Sequence, residues 1–252
     1  MRLLLPVLAL AVGLAVPADA GAQARGRGAA ATARAAAPKD LTGTWVSVVT
    51  EHWHLRMLVP PKGEFAMLPL NPEARKVATA WDATSVTGDN ECAAYGAPVI
   101  MRVPGRVRIQ WVDDNTLQLD TDAGSQTRTF RFGGPAPAGQ PPSWQGTSVA
   151  VWDTGARGRG APPAGVGQLR VNTTNLRAGY LRRNGVPYSE RTTLTEYFDT
   201  FTEPNGDQWL LVTSIVTDPQ YLTGPYATTQ HFKKVADRAG WDPTPCRVTE
   251  AR

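Results

Sequence analysis

Three groups of residues have the types and spacing to do chemistry. His52 and His54 are two apart, and on a strand such residues project from one face, so both can reach a single metal ion. His231 is the only other histidine. It falls on what reads as the last strand, which in a closed barrel pairs with the first, so the three can converge. The competing reading makes Phe232 the inward residue and leaves all three histidines facing water, and no metal site is then expected. The second group is polar residues whose strand parity points inward: Glu51 shares a face with Trp53, Arg128 with Phe130, and Glu196 with Leu194 and Phe198. A charge inside a barrel is costly unless it is paired or used. Glu51, Arg128 and Glu196 are therefore either a buried structural pairing or anchors for the polar group of a ligand lying on Trp53 and Phe130. In a third reading, Glu51 and Glu196 are carboxylates that exchange protons with a bound substrate. A β-bulge near Thr50 would swap the faces of the first strand and remove Glu51 from this set. The third group, Asp113, Asp114, Asp120 and Asp122, has the look of a calcium site but sits at turns, where Asp is favoured for backbone reasons. No nucleophile elbow, phosphate loop, dinucleotide fingerprint or His-Glu-x-x-His occurs, and no cofactor is expected.

The elements that must position these residues are strands. Arg106 to Phe132 is the clearest meander. Val107, Ile109 and Trp111 alternate with Arg106, Arg108 and Gln110. Asp113-Asp114-Asn115 turns the chain, Leu117 and Leu119 alternate with Gln118 and Asp120, and Asp122-Ala123-Gly124 turns it again before a third strand ending in Phe130 and Phe132. Short loops between such strands mean antiparallel, up-and-down pairing. Ahead of the meander, Trp45, Ser47 and Val49 share one face of a strand that continues in the same parity through Glu51, Trp53, Leu55 and Met57. Pro60-Pro61-Lys62-Gly63 breaks it. Asn71-Pro72-Glu73 caps the one convincing helix, running to Trp81, and Ala83 to Pro104 reads as a long loop. After the meander, strands are expected at Trp144 to Trp152, Leu169 to Thr173, Thr193 to Phe201, Trp209 to Val216 and Ala227 to Lys233, with a polar insertion at 157–163. The fold class is all-β: an antiparallel barrel of about 8–10 strands with one short early helix, wide enough to hold a small ligand.

The first twenty residues read as a secretory signal, with Arg2, an apolar run from Leu3 to Val16 and an Ala18-Asp19-Ala20 cleavage site. No later stretch approaches the about 18 apolar residues of a membrane span, so no membrane anchor is expected. Residues 21–39, almost entirely Ala, Gly and Arg, read as a disordered tether. Arg25, Arg27, Arg34 and Lys39 in that segment match the formal net charge of +4, which leaves the body near neutral and argues against a nucleic-acid partner. Residues 40–252 form one domain. Cys92 and Cys246 are the only cysteines, and in an exported chain they are expected to be bonded to each other.

Gly43-Thr44-Trp45 on the first strand resembles the Gly-x-Trp signature of lipocalins, in which the Trp closes the barrel floor. A wider similarity to exported bacterial lipocalin-like proteins of unassigned activity runs through Thr121-Asp122-Ala123-Gly124, Trp144-Gln145-Gly146-Thr147-Ser148-Val149, Trp152, Thr173-Thr174-Asn175 and Thr195-Glu196-Tyr197-Phe198, and covers most of residues 41–246. The resemblance implies a barrel with an internal cavity and assigns no catalytic residue. The expectation is a periplasmic or secreted, monomeric barrel that binds a small, largely apolar molecule. The alternatives are a cofactor-independent isomerase, cyclase or lyase, and a structural module of the envelope.

Overall fold

The computed structural model describes residues 31–155 and 165–248. The signal segment, the first part of the tether and the insertion at 157–163 lie outside the described residues. In chain order the strands are β1 (Gly43–Val48), β2 (Arg106–Asp113), β3 (Thr116–Thr121), β4 (Thr127–Phe132), β5 (Thr147–Asp153), β6 (Gln168–Thr174), β7 (Gly179–Arg182), β8 (Val186–Tyr188), β9 (Thr193–Thr202), β10 (Gln208–Thr217) and β11 (Tyr226–Val235). Nine of them close into a barrel in the order β1-β11-β10-β9-β6-β5-β4-β3-β2, and β7 and β8 form a separate hairpin. The expected all-β barrel is therefore present, with the last strand paired to the first from Thr44↔Val235 to Val48↔His231.

One pairing departs from the antiparallel expectation, because β4 and β5 run parallel, Phe130 facing Ser148 and Phe132 facing Ala150. The cause is arithmetic. In a closed ring strand directions can alternate throughout only if the number of strands is even, so nine strands require at least one parallel neighbour. The Gly- and Pro-rich segment between Phe132 and Thr147 is the crossover that carries the chain back to start β5 in the direction of β4.

Inside the ring the alternation holds. Val107 and Ile109, Leu117 and Leu119, Phe130, Leu169 and Val171, Phe198, Leu210 and Val212, and Phe232 all point inward and form one buried cluster. Trp45 belongs to it, and its indole N–H donates to Leu41 O at 3.0 Å. The ring's interior is thus filled with side chains, where the resemblance implied a cavity.

The long β1–β2 connection is not a loose loop. It carries two single-turn helices, α1 (Trp53–Arg56) and α3 (Ala97–Ile100), the longer α2 (Pro72–Ala80) between them, and two 3-10 segments, Ala83–Ser85 and Gly88–Ala94. Helix α2 is the one legible in the sequence: Asn71 Oδ1 accepts from Ala74 N at 2.9 Å and Pro72 opens the first turn. Together with the β7–β8 hairpin these elements cap the mouth where β9 begins and β10 ends. Tyr95, Ile100 and Met101 join the interior cluster, while Ala74, Ala78, Leu181, Val186 and Tyr188 pack with Leu194 and Val216 at the strand ends. Among the described residues no helix is long and apolar enough to cross a membrane.

Two further differences concern the termini of the domain. Residues 31–39, assigned by composition to the tether, are held on the barrel: Trp152 Nε1 donates to Ala33 O at 2.7 Å, and Arg34 N to Asp114 O at 2.9 Å. Backbone groups need no sequence pattern to pair, which is why composition misses this. At the other end Cys92 and Cys246 are bonded, with Cα atoms 5.0 Å apart and a sequence separation of 154. The bridge ties the segment after β11 to the cap, where Ser125 Oγ also donates to Thr244 O at 3.0 Å and Val248 N to Glu91 Oε2 at 2.9 Å. Closing so long a loop stabilises by at most about 5 kcal/mol in the chain-entropy model. A C92A/C246A double variant is expected to remain folded at low temperature but to lose about 3 kcal/mol or more in urea titrations. An unchanged midpoint would show that the bridge contributes nothing to the fold.

Candidate functional site

The sequence-selected residues part into two places. Arg128 on β4 and Glu196 on β9 do face the interior and meet there, although they are far apart in the chain. Arg128 Nη1 donates to Glu196 Oε1 at 3.0 Å and Nη2 donates to Oε2, a two-pronged pairing in which both side chains are wholly buried. Arg128 Nη2 also reaches Thr173 Oγ1 at 3.4 Å, and Ser148 and Thr173 share a hydroxyl bond of 2.8 Å. Phe130 packs under the guanidinium at 5.0 Å and against the Phe198 ring at 5.4 Å. Of the three roles open to these charges, this geometry is that of a structural pair, because both Glu196 oxygens are engaged by Arg128. Sequence parity places Gln230 on the same inward face as Phe232. It is fully buried, and neither end of its amide has a partner within the protein.

Glu51 and Trp53 do not line the barrel. β1 ends at Val48, and His52 takes a left-handed conformation (φ 50°) that turns the chain into α1. The strand expected to run on to Met57 therefore stops, and with it the shared face of Glu51 and Trp53. Trp53 is 60% exposed. Glu51 instead accepts from Arg56 Nη1 at 2.7 Å and from Thr50 Oγ1 at 2.9 Å. Burial alone would raise its pKa, but the Thr50 hydroxyl, Arg56 and the nearby His231 together hold it below the ordinary carboxylate value. His52 and His54 are the N-cap and second residue of α1 rather than strand neighbours. His231 lies on β11 between the inward-facing Gln230 and Phe232, with its Nδ1 3.3 Å from Thr50 Oγ1. Among the described residues no group of three His, Cys, Asp or Glu could hold a metal ion. Asp122 acts as turn chemistry requires: its carboxylate accepts from Arg106 N at 2.7 Å and from Ala123 N.

A hollow lies outside the ring, in the cap. A pocket of about 720 Å³ opens between the β7–β8 hairpin, the 3-10 segments and the loop after β10, with Trp144, Tyr180, Tyr188 and Tyr221 among its walls. Arg177 stacks on the Trp144 ring at 4.1 Å and is itself held by Asp89 and by Asn90. The Tyr188 phenol wedges between two glycine backbones. A Cβ on Gly96 would lie 2.2 Å from its oxygen, and one on Gly179 2.7 Å. Tyr188 Oη and Trp144 Nε1 are buried without a protein partner. Burial pushes the Tyr188 pKa up, with Arg177 opposing, so the phenol stays neutral. Of these walls the sequence singles out Trp144 alone, within the lipocalin-like stretch Trp144 to Val149; Tyr180, Tyr188 and Tyr221 carry no such signal. The only local signals are isolated aromatics in polar, turn-rich segments.

Two predictions come from these contacts. R128M and E196L singly should each destabilise the protein by about 3–5 kcal/mol, by leaving one buried charge unpaired, and the double variant should recover a large part of that loss in a denaturant double-mutant cycle. Strictly additive losses would disprove the pairing. Because the folded pKa of Glu51 is lowered, its contribution to stability is present above the ordinary carboxylate pKa and is lost as pH falls through the folded value. The acid limb of the pH–stability profile should therefore be shallower in E51Q than in the wild-type protein.

No family model, curated protein or solved structure matches this chain.

Proposed function

We propose that this protein is an exported, monomeric, lipocalin-like barrel that binds a small, largely apolar molecule, and that the binding site is the aromatic pocket of the cap and not the barrel interior. The observation that carries this reading is the pocket of about 720 Å³ walled by Trp144, Tyr180, Tyr188 and Tyr221. That volume lies in the range of small-molecule sites, and aromatic walls with a few fixed polar groups are their usual lining. The interior offers less support. Its inward side chains pack on one another, and in its charged pair both Glu196 oxygens are engaged by Arg128, whose Nε alone lacks a protein partner. The disulfide supports export, since such bonds persist in oxidising compartments. Polar groups at the pocket wall, Glu190 and Gln220 among them, would orient a ligand whose flat apolar body lies on the tyrosines.

Ala178 is exposed at the rim of this pocket, so a large side chain there fills it without disturbing the core. Native mass spectrometry of protein purified from its own host is expected to show a retained small molecule on the wild type and none on A178W, with equal melting temperatures for the two. A wild-type protein that carries nothing, or an A178W variant that retains the same adduct, would refute this site.

A further inference from the structure

The cap holds a second feature, independent of the aromatic pocket and sharing none of its lining residues. Arg56 from α1, Arg102 from the end of the β1–β2 connection and Arg182 from β7 are 4%, 7% and 4% exposed. Buried arginines are normally matched one for one by carboxylates or bound anions. Here, among the described residues, Glu51 makes the one ion pair, with Arg56. Arg56 Nε donates to Arg102 O at 3.0 Å, which leaves Arg56 Nη2 buried without a partner. Arg182 spends its two terminal nitrogens on the carbonyls of Ala66 at 2.6 Å and Glu64 at 3.4 Å, and its Nε is likewise buried and unpartnered. Arg102 lies over the Tyr226 ring at 5.9 Å. Burial lowers the pKa of both Arg56 and Arg182; Glu51 opposes this at Arg56 and Tyr226 at Arg182, while Arg102 lowers each further, so Arg102 acts on both of its neighbours.

The space beside these groups has a shape. Arg56, Arg102 and Arg182, with Arg183, line a small cavity of about 30 Å³, room for a water or for the two oxygen atoms of a carboxylate whose carbon lies at its mouth. Arg102 and Arg182 also line a neighbouring open pocket of about 470 Å³, whose other walls are the apolar Met67, Leu68, Pro69, Pro225 and Ala227 together with His52, Tyr226 and Thr228. We propose that this arginine layer is an anion site that takes the carboxylate of a small organic acid, with the acid's apolar body in the adjoining pocket. Guanidinium groups suit a carboxylate because their paired N–H donors match its two oxygens. A carboxylate there supplies the acceptors that Arg56 Nη2 and Arg182 Nε lack and offsets the mutual repulsion of the three cations. The apolar residues on the open side select a hydrocarbon tail over a second charge.

Hexanoate, its neutral counterpart hexanamide, and inorganic phosphate distinguish the possibilities in calorimetric titrations of the full chain. Hexanoate should bind at least about tenfold more tightly than hexanamide, the difference expected when a charge-assisted bond is lost. R102Q, which keeps the backbone carbonyl used by Arg56, should weaken hexanoate about tenfold with its melting temperature preserved. Equal binding of hexanoate and hexanamide, or no hexanoate binding at all, overturns the anion site. Tighter binding of phosphate than of hexanoate overturns the assignment to a carboxylate with a tail. A folded R102Q that binds hexanoate as the wild type does overturns the role of the arginines. If R102Q does not fold, the comparison of hexanoate with hexanamide on the wild-type protein decides alone. R102Q should also retain whatever occupies the aromatic pocket, since the two sites have separate walls.

Discussion

Closure of the sheet on itself is the constraint from which the rest of the structure follows. A ring with no free edge satisfies every strand's backbone within the sheet, but nine strands cannot alternate around it. The mismatch is absorbed at a single place, the parallel contact between β4 and β5. The crossover between them keeps Ser143 and Trp144 beside the cap, where Ala97 N donates to Trp144 O at 2.9 Å and Arg177 N to Ser143 O at 2.9 Å. One wall of the aromatic pocket is thus a by-product of the way the ring closes.

Closure also determines where a ligand can go. The inward positions are occupied by residues the size of Trp45, Phe130, Phe198 and Phe232, all at most 1% exposed. At native packing density little space remains among such side chains. Four of the polar exceptions are grouped, Arg128, Glu196, Thr173 and Ser148 bonding to one another, while Gln230 stands apart from them. A two-pronged guanidinium–carboxylate pair with hydroxyl neighbours joins β4 to β9 across the ring and tolerates only one register on each strand. Its role is then to fix which residues face inward, since a slip by one position would carry Arg128 or Glu196 to the opposite face.

Most of the ring was legible because its physics is local. A half-buried antiparallel strand alternates in sequence as it does in space, and so the meander, β6, β9, β10 and β11 could be read from period two alone. The Asn71-Pro72 cap and the pairing of the only two cysteines were legible for the same reason: each is written in residue types whose meaning does not depend on distant neighbours. The end of β1 was not. Polar and apolar residues alternate from His52 to Met57, but over so few residues that pattern suits a single helical turn as well as a strand. The deciding event is the positive φ at His52, a residue type that seldom announces one. From that point Glu51 and Trp53 leave the face of the strand, and Arg56 at the end of α1 is buried.

The cap was the least legible part, and its residues show why. Arg56, Arg102 and Arg182 come from three segments that each look like polar loop, and no spacing in the chain relates them. What makes them a cluster is a mutual burial that only the folded cap creates. Each alone would be read as a solvated side chain. Together, under a cap that supplies carbonyl oxygens from Glu64, Ala66 and Arg102 and, among the described residues, one carboxylate ion-paired to the three, they form a concentration of positive charge that the fold sustains at a cost. A purely structural cluster would be more stable with apolar residues of similar volume in place of Arg102 and Arg182. Retaining guanidinium groups beside an open pocket is what the proposed anion site requires, and that contrast between stability and use is the physical ground for proposing it.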